Sequence, residues 1–147
     1  MSDEDQIKYV QVSELRLGSY IIINDGACVI TAISKSKTGK HGSSKAHIVA
    51  KNIFTHKKVE TLMMCSENAR VPVVTRTSYD VLDLGEDDDS ISLLNSKMEE
   101  VPNLVKIDSD EPCLKLKKAI EEGKTMQVTV ICALGMTKIC DCSESKD

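Results

Sequence analysis

Aromatic residues are scarce in this chain of 147 residues: they make up 3%, with one Phe and no Trp. A core must therefore be built from Val, Ile, Leu and Met, which favours small β-structures over a large aromatic-lined pocket. Hydrophobic residues amount to 41% and charged residues to 29%, a balance typical of globular proteins. The length suits one ordinary domain or two small ones.

The sequence also lacks a secretion signal and any apolar run long enough to span a membrane. The first residues, Met1 to Gln6, are acidic, and no apolar signal region follows them. We therefore expect a cytoplasmic protein with no membrane contact, whose six cysteines are free thiols. Cys140-Asp141-Cys142 could suggest a metal, but no second Cys/His pair stands at a zinc-site spacing, so we expect no metal site.

Carboxylates are missing from the stretch between Gly26 and Val59, which nevertheless contains seven lysines. The net charge of −4 for the whole chain therefore leaves −11 for the remainder. Such a division indicates a local contact with a polyanion on an otherwise acidic protein, although a solvated basic face is the alternative. The lysines are Lys35, Lys37, Lys40, Lys45, Lys51, Lys57 and Lys58.

The first half of the chain consists of short apolar segments separated by turn signals, with a tight turn predicted at Asn24-Asp25-Gly26. Five strands forming a small antiparallel barrel are expected. A stiff linker is predicted around Pro72, at residues 70–74, so the domains are expected at 1–72 and 73–147. The strands are predicted at Ile7–Val12, Tyr20–Ile23, Ala27–Ile33, Ala46–Asn52 and Val59–Met64.

The second half is predicted to contain five strands, with one helix from Leu114 to Glu122 between the third and the fourth. This order is typical of an oligonucleotide-binding barrel (OB-fold). An acidic turn is expected at Gly85 to Asp89, and it lacks the spaced ligands of a calcium loop. The strands are predicted at Tyr79–Leu84, Ser90–Leu94, Val101–Ile107, Met126–Cys132 and Met136–Cys140.

The sequence contains short patterns that resemble catalytic motifs, but each lacks required residues or the required spacing. Gly39-Lys40 lacks the following Ser/Thr and the upstream glycine of a phosphate-binding loop. An S-x-x-K and a K-T-G pattern overlap within 34–39, whereas β-lactamases and penicillin-binding proteins carry them far apart. The histidines show no catalytic spacing: His47 is predicted to be a partly buried structural residue and His56 a turn residue. We therefore expect that the protein is not an enzyme.

The most informative segment is Ser36 to Lys45, predicted as the long exposed loop of a hairpin between two apolar strands. Gly39 and Gly42 flank Lys40 and His41, so the backbone around Lys40 is unusually free in φ. A lysine in such a loop is expected to be exposed and presented to a partner.

This segment, with sequence S-K-T-G-K-H-G from Ser36 to Gly42, resembles the eukaryotic translation initiation factor 5A family, whose bacterial relative is elongation factor P. The T-G-K-H-G loop is the modification site of that family. The resemblance extends over nearly the whole chain. It includes Lys45, Ile53-Phe54-Thr55, Lys57-Lys58, Val12 to Arg16, Val71-Pro72 and Met126 to Ala133.

The resemblance implies a mainly β protein, with an SH3-like barrel followed by an OB-fold. It further implies that Lys40 becomes hypusine: deoxyhypusine synthase transfers an aminobutyl group from spermidine, and deoxyhypusine hydroxylase completes the residue. No other cofactor is expected. The implied function is binding to the ribosome, through rRNA and peptidyl-tRNA, near the acceptor end, to promote slow peptide bonds, as at polyproline, and termination. Contacts to RNA and to the modifying enzymes are expected from Lys37, Thr38, Gly39, His41, Gly42 and Lys45.

The sequence departs from the family pattern at Ser43-Ser44, at Ala27 where proline is frequent, and at His56 where glycine is common. Two other functions stay open. The second half could be a general single-stranded RNA-binding module, although Tyr79 is its only aromatic residue and its charge is acidic. Alternatively, the chain could be a non-hypusinated paralogue that serves as an interaction scaffold. A weak homodimer is also left open.

Overall fold

The computed structural model describes residues 6–37, 44–85, 89–102 and 104–145. Within these ranges it contains eleven strands, one 3₁₀ turn and one α-helix, which confirms the mainly β prediction. The chain divides into two compact units, Met1–Val73 and Val74–Asp147. Each unit has a hydrophobic cluster of its own.

The first unit is built from antiparallel strands. Strands β2 to β5 form a sheet in sequence order, β1 pairs with β6, and a 3₁₀ turn at Val12–Glu14 follows β1. The strands are β1 Ile7–Gln11, β2 Tyr20–Ile23, β3 Gly26–Lys37, β4 Ser44–Asn52, β5 Lys58–Met64 and β6 Asn68–Pro72.

The turn between β2 and β3 has the predicted position. Asn24 and Asp25 have φ values of 52° and 62°, and Ile23 pairs with Gly26 across them. Positive φ at both central residues is the property of the type I′ turn, whose twist matches that of paired strands. The turn therefore fixes the register in which β3 continues towards the lysine-rich segment.

Two expectations for the first unit were wrong. Residues 70–72 are not a linker but the end of β6, a sixth strand where five were expected, which pairs with β1 from Gln11–Asn68 to Ile7–Pro72. Proline is tolerated there because it occupies the last position of a strand that pairs on one side. The predicted loop from Ser36 to Lys45 is also shorter than expected, because β3 reaches Lys37 and β4 begins at Ser44.

Alternation along β3 and β4 places the core of the first unit on one face of its sheet. Cys28, Ile30 and Ile48 are fully buried there, and Ile21 of β2 joins them. Burying an Ile side chain contributes about 1.5–3 kcal/mol, so these core residues stabilise the sheet that contains the β3–β4 hairpin.

The second unit has the strand order of an OB-fold, β11-β10-β7-β8-β9. Cys113, Leu116 and Ala119 of the helix, at successive i+3 spacings, are buried against the barrel. The elements are β7 Thr75–Leu84, β8 Ile91–Leu94, β9 Glu100–Pro102, α1 Glu111–Glu121, β10 Met126–Ala133 and β11 Met136–Glu144.

Several predicted boundaries in this unit were wrong. Strand β7 begins at Thr75 rather than Tyr79, and β11 extends to Glu144 rather than Cys140. The strand expected to extend to Ile107 ends at Pro102. Beyond it, Thr137 donates a hydrogen bond to the carbonyl of Leu104 (3.0 Å). The helix begins at Glu111 rather than Leu114, because Pro112 lies in the first turn, where a helix needs no N–H. Residues 86–88 of the expected acidic turn lie outside the described residues.

Candidate functional site

The β3–β4 hairpin carries the lysine-rich segment. Its pairing runs from Cys28–Asn52 to Lys37–Ser44, with a bulge between Ile30 and Ala32. Lys45 is exposed and pairs with Ser36, one step from the end of the ladder. The other predicted site residues, Thr38, Gly39, Lys40, His41 and Gly42, lie outside the described residues, as does Ser43.

The face of the sheet opposite the core, here called the outer face, is exposed along β4 and β5. Lys45, His47 and Lys51 of β4 point away from the core because they alternate with buried Ala46, Ile48 and Ala50. Val49 lies on the same face of β4. Cross-strand pairing places one residue of β5 opposite each of these four residues of β4. The four pairs are Lys45–Met64, His47–Leu62, Val49–Glu60 and Lys51–Lys58.

One of the seven lysines has a structural role that the sequence did not reveal. The Lys35 ammonium donates hydrogen bonds to the carbonyls of Ser13 (2.8 Å) and Leu15 (3.1 Å). It thereby ties β3 to the segment that contains the 3₁₀ turn. The cationic face available to a partner is therefore smaller than the lysine count suggests.

His47 was predicted to be a partly buried structural residue, and this is wrong. Its side chain is 49% exposed, and its Nε2 lies 3.2 Å from Oε2 of Glu60. The other oxygen, Oε1, lies 3.6 Å from the Lys58 ammonium. Alternation with Ala46 and Ile48 was the sequence signal that could have placed His47 outside. Glu60 thus partly neutralises the middle of the outer face.

The turn between β4 and β5 is organised by Asn52. Its Oδ1 accepts hydrogen bonds from the amides of Phe54 (2.8 Å) and Thr55 (3.0 Å), and its carbonyl accepts one from the amide of His56 (2.9 Å). His56 has φ of 64°, which confirms the prediction that it is a turn residue and explains why glycine suits this position. The turn delivers Lys58 to the outer face.

The cysteines are free thiols, as predicted. Burial raises the pKa of Cys28 and of Cys142, and it raises the pKa of Cys113 to about 11. These three thiols are therefore protonated near neutral pH, which suits packing rather than nucleophilic chemistry.

Among the described residues, no three His, Cys, Asp or Glu side chains form a group that could hold a metal ion. No helix in the same part of the chain is long and apolar enough to cross a membrane.

Tyr79, the only aromatic residue of the second unit, is half-buried and packs against its hydrophobic core. Pairing of β7 with β8 and of β8 with β9 brings Asp80, Leu94 and Glu100 into one row. This row lies on the outer side of the barrel, because Leu93 next to it faces the core. Neither the tyrosine nor this row resembles an aromatic, cationic platform for single-stranded RNA.

Two family models match the chain in tandem. The first, translation initiation factor 5A-like, N-terminal, matches residues 6–67. The second, eukaryotic elongation factor 5A hypusine, DNA-binding OB fold, matches residues 73–143. A strand-built first unit with a lysine-rich hairpin, followed by an OB-fold, thus defines the class: a two-domain β translation factor.

Individual relatives agree with this class. "Eukaryotic translation initiation factor 5A-1" of Saccharomyces cerevisiae is 42% identical over 126 residues, which is 86% of this chain and 78% of the yeast protein. The Arabidopsis thaliana protein "Eukaryotic translation initiation factor 5A-3" is 40% identical over 91% of this chain and 84% of its own length. The chain belongs to the eukaryotic translation initiation factor 5A family.

Solved structures are similar over almost the same span. A translation initiation factor of this family from Naegleria fowleri has a TM-score of 0.85 at 35% identity, covering 94% of this chain and 99% of its own. The factor 5A from Methanococcus jannaschii has a TM-score of 0.71 at 30% identity, covering 94% and 96%.

Proposed function

We propose that this protein is a hypusine-containing factor that binds the ribosome beside the acceptor end of peptidyl-tRNA. There it promotes peptide bond formation at stalled sites, such as polyproline, and assists termination. Its partners are rRNA and peptidyl-tRNA, and it acts in the cytoplasm, where ribosomes translate. The protein supplies no catalytic centre in this proposal; it orients the substrates of the ribosome, which is a proximity effect.

The observation that carries the proposal is the carboxylate-free hairpin with Lys40 between its strands. β3 and β4 are paired up to Lys37–Ser44, so the chain leaves and re-enters the sheet at that pair. A cationic side chain presented there contacts phosphate and sugar atoms irrespective of sequence. Lys37, His41 and Lys45 would position the same RNA, and Thr38, Gly39 and Gly42 would give the modifying enzymes access.

Modification lengthens the reach of Lys40. In the transfer catalysed by deoxyhypusine synthase, a bond forms between Nζ and the butyl carbon of spermidine. The bond from that carbon to the secondary nitrogen of spermidine breaks, and diaminopropane leaves with that nitrogen. Deoxyhypusine hydroxylase then inserts one oxygen atom from dioxygen, which also requires a reductant. The product carries a second amine on a longer stem, suited to a distant phosphate.

Intact mass of the protein purified from its native source tests the modification. We expect an increase equal to one aminobutyl group plus one oxygen, and Lys40→Arg should abolish it. Ribosomes stalled on a proline run should be accelerated by the modified protein and far less by Lys40→Arg. Full acceleration by protein of unmodified mass would exclude the role given to Lys40.

The two alternative functions make different predictions. Tight RNA binding by residues 74–147 alone, independent of Lys40, would favour a general single-stranded RNA-binding module. The half-buried position of Tyr79 argues against such a module. Unchanged translation with Lys40→Arg, in cells that depend on this protein, would favour an interaction scaffold.

A further inference from the structure

A second cationic cluster lies on the outer face of the first unit, at the end of β4 opposite to the Lys37–Ser44 pair. Lys51 of β4 and Lys58 of β5 are direct cross-strand partners, and both are exposed. Val29 pairs with Lys51, and Tyr20 pairs with Val29, so one row crosses four strands. We call this set, Tyr20, Val29, Lys51 and Lys58, the distal row.

The pairing of Lys51 with Lys58 is unfavourable for the fold. Like charges placed directly opposite each other destabilise a sheet. Lys58 is partly compensated by Glu60 at 3.6 Å, but that carboxylate also lies beside His47. No carboxylate among the described residues lies within ion-pair distance of Lys51. An anionic ligand would provide the compensation that the protein itself does not.

The distance along β4 between Lys45 and Lys51 suits an extended ligand. Lys51 is six residues from Lys45 along β4, which corresponds to about 20 Å at the rise of a strand. Between them on β4 and β5 the outer face carries His47, Val49, Leu62 and a single carboxylate, Glu60. Such a strip matches an RNA backbone, which offers phosphates at regular intervals, better than it matches one small anion.

We propose that the distal row binds a second stretch of the RNA whose acceptor end the hairpin approaches. Lys51 and Lys58 contact phosphates, and the half-buried Tyr20 closes the row beside the sugar-phosphate chain. Lys35 takes no part, because its ammonium is bound to the carbonyls of Ser13 and Leu15. This proposal rests on the proposed function and adds to it a binding site that is separate from Lys40.

The double variant Lys51→Gln, Lys58→Gln tests the distal row in the full, modified chain. Its affinity for ribosomes carrying peptidyl-tRNA at a proline codon is measured at several salt concentrations. Two lost phosphate contacts should reduce the slope of log affinity against log salt by about 1.5. Lys51→Arg, Lys58→Arg retains both charges and should bind as the parent does.

The matched control is Lys97→Gln, Lys106→Gln, which removes the same charge from exposed positions of the second unit. Equal weakening by the control would reduce the effect to net charge and overturn the proposal. An unchanged slope with Lys51→Gln, Lys58→Gln would also overturn it. If Lys40→Arg still abolished acceleration in that case, the proposed function would stand without the distal row.

A crosslink identifies the molecule that covers the row. A photoreactive residue in place of Val49, which lies between His47 and Lys51 on β4, leaves every lysine intact. We expect crosslinks to tRNA. Crosslinks to rRNA alone or to ribosomal protein alone would overturn the proposal. A modified parent protein that neither binds nor accelerates these ribosomes would overturn the proposed function, and the distal row with it.

Discussion

At the scale of single residues, Lys138 of the second unit forms ion pairs with two carboxylates at once. Its side chain is 11% exposed, and its ammonium contacts Asp110 and lies 3.9 Å from Asp108. Both carboxylates belong to the irregular segment between β9 and α1. One cation on β11 therefore holds that segment against the barrel, where regular strand pairing has ended.

Replacing this cation should destabilise the second unit. Lys138→Met keeps most of the stem but leaves Asp108 and Asp110 without their shared partner, so we expect a loss of about 2 kcal/mol. Urea unfolding of the full chain measures it. The control Lys106→Met removes the exposed pair with Asp89, which are 3.8 Å apart, and should cost less than about 0.5 kcal/mol. Equal losses would contradict the role assigned to Lys138.

The buried thiols should respond to alkaline pH. Burial raises the pKa of Cys113 to about 11, from 9.0 in the unfolded chain. The native state thus retains a proton that the unfolded chain releases, and the stability from this group declines as pH rises from about 9 to 11. Urea unfolding of the full chain at several pH values measures this decline, and Cys113→Ala, which lacks the thiol, should lose less stability over the same range. An equal loss in the parent and in Cys113→Ala would contradict the role given to Cys113.

At the scale of elements, turns show how much of the fold follows from local sequence. Asn24 and Asp25 both adopt positive φ, as the turn pattern predicted. β6 was missed because the Val-Pro at its end suggested a linker, and because its partner β1 lies some sixty residues away in sequence. Local patterns contain no information about such distant pairing.

The turn between β2 and β3 can be improved. Asp25→Gly removes a side chain from a left-handed position and creates the preferred Asn-Gly turn, so we expect a gain of about 0.5 kcal/mol. The pair between Asp25 and Arg70, 3.4 Å apart, is exposed and contributes little. Thermal unfolding measures the gain. Asp25→Ala, which also removes the carboxylate but keeps the Cβ, should lower the melting temperature instead.

At the scale of the whole molecule, charge and fold class could be predicted from sequence, whereas the allocation of individual charges could not. The carboxylate-free stretch identified the cationic hairpin and its lysines. The register between strands decides which residues meet. It brings Lys35 to two carbonyls and places Lys51 opposite Lys58. Register is set by the turns and by the bulge after Ile30, and that bulge has no clear signature in the residues.

Two separate cores imply that each unit folds alone. The cluster around Ile30 and Ile48 belongs to residues 1–73, and the cluster around Leu93 and Leu116 belongs to residues 74–147. Each fragment should therefore unfold cooperatively and give dispersed amide resonances, although domains of this size are only marginally stable. A fragment without dispersed resonances would show that its core needs the other unit.

The position of β5 has one more consequence. It is the last strand of its sheet, so its outward edge has no strand partner in the described part of the chain. A bare edge can pair with another molecule and start aggregation. Lys57 and Lys58 at the beginning of this edge, with Lys51 beside them, repel a second copy that approaches in the same way. Salt screens that repulsion, so we expect the protein to aggregate more readily at high ionic strength than at low.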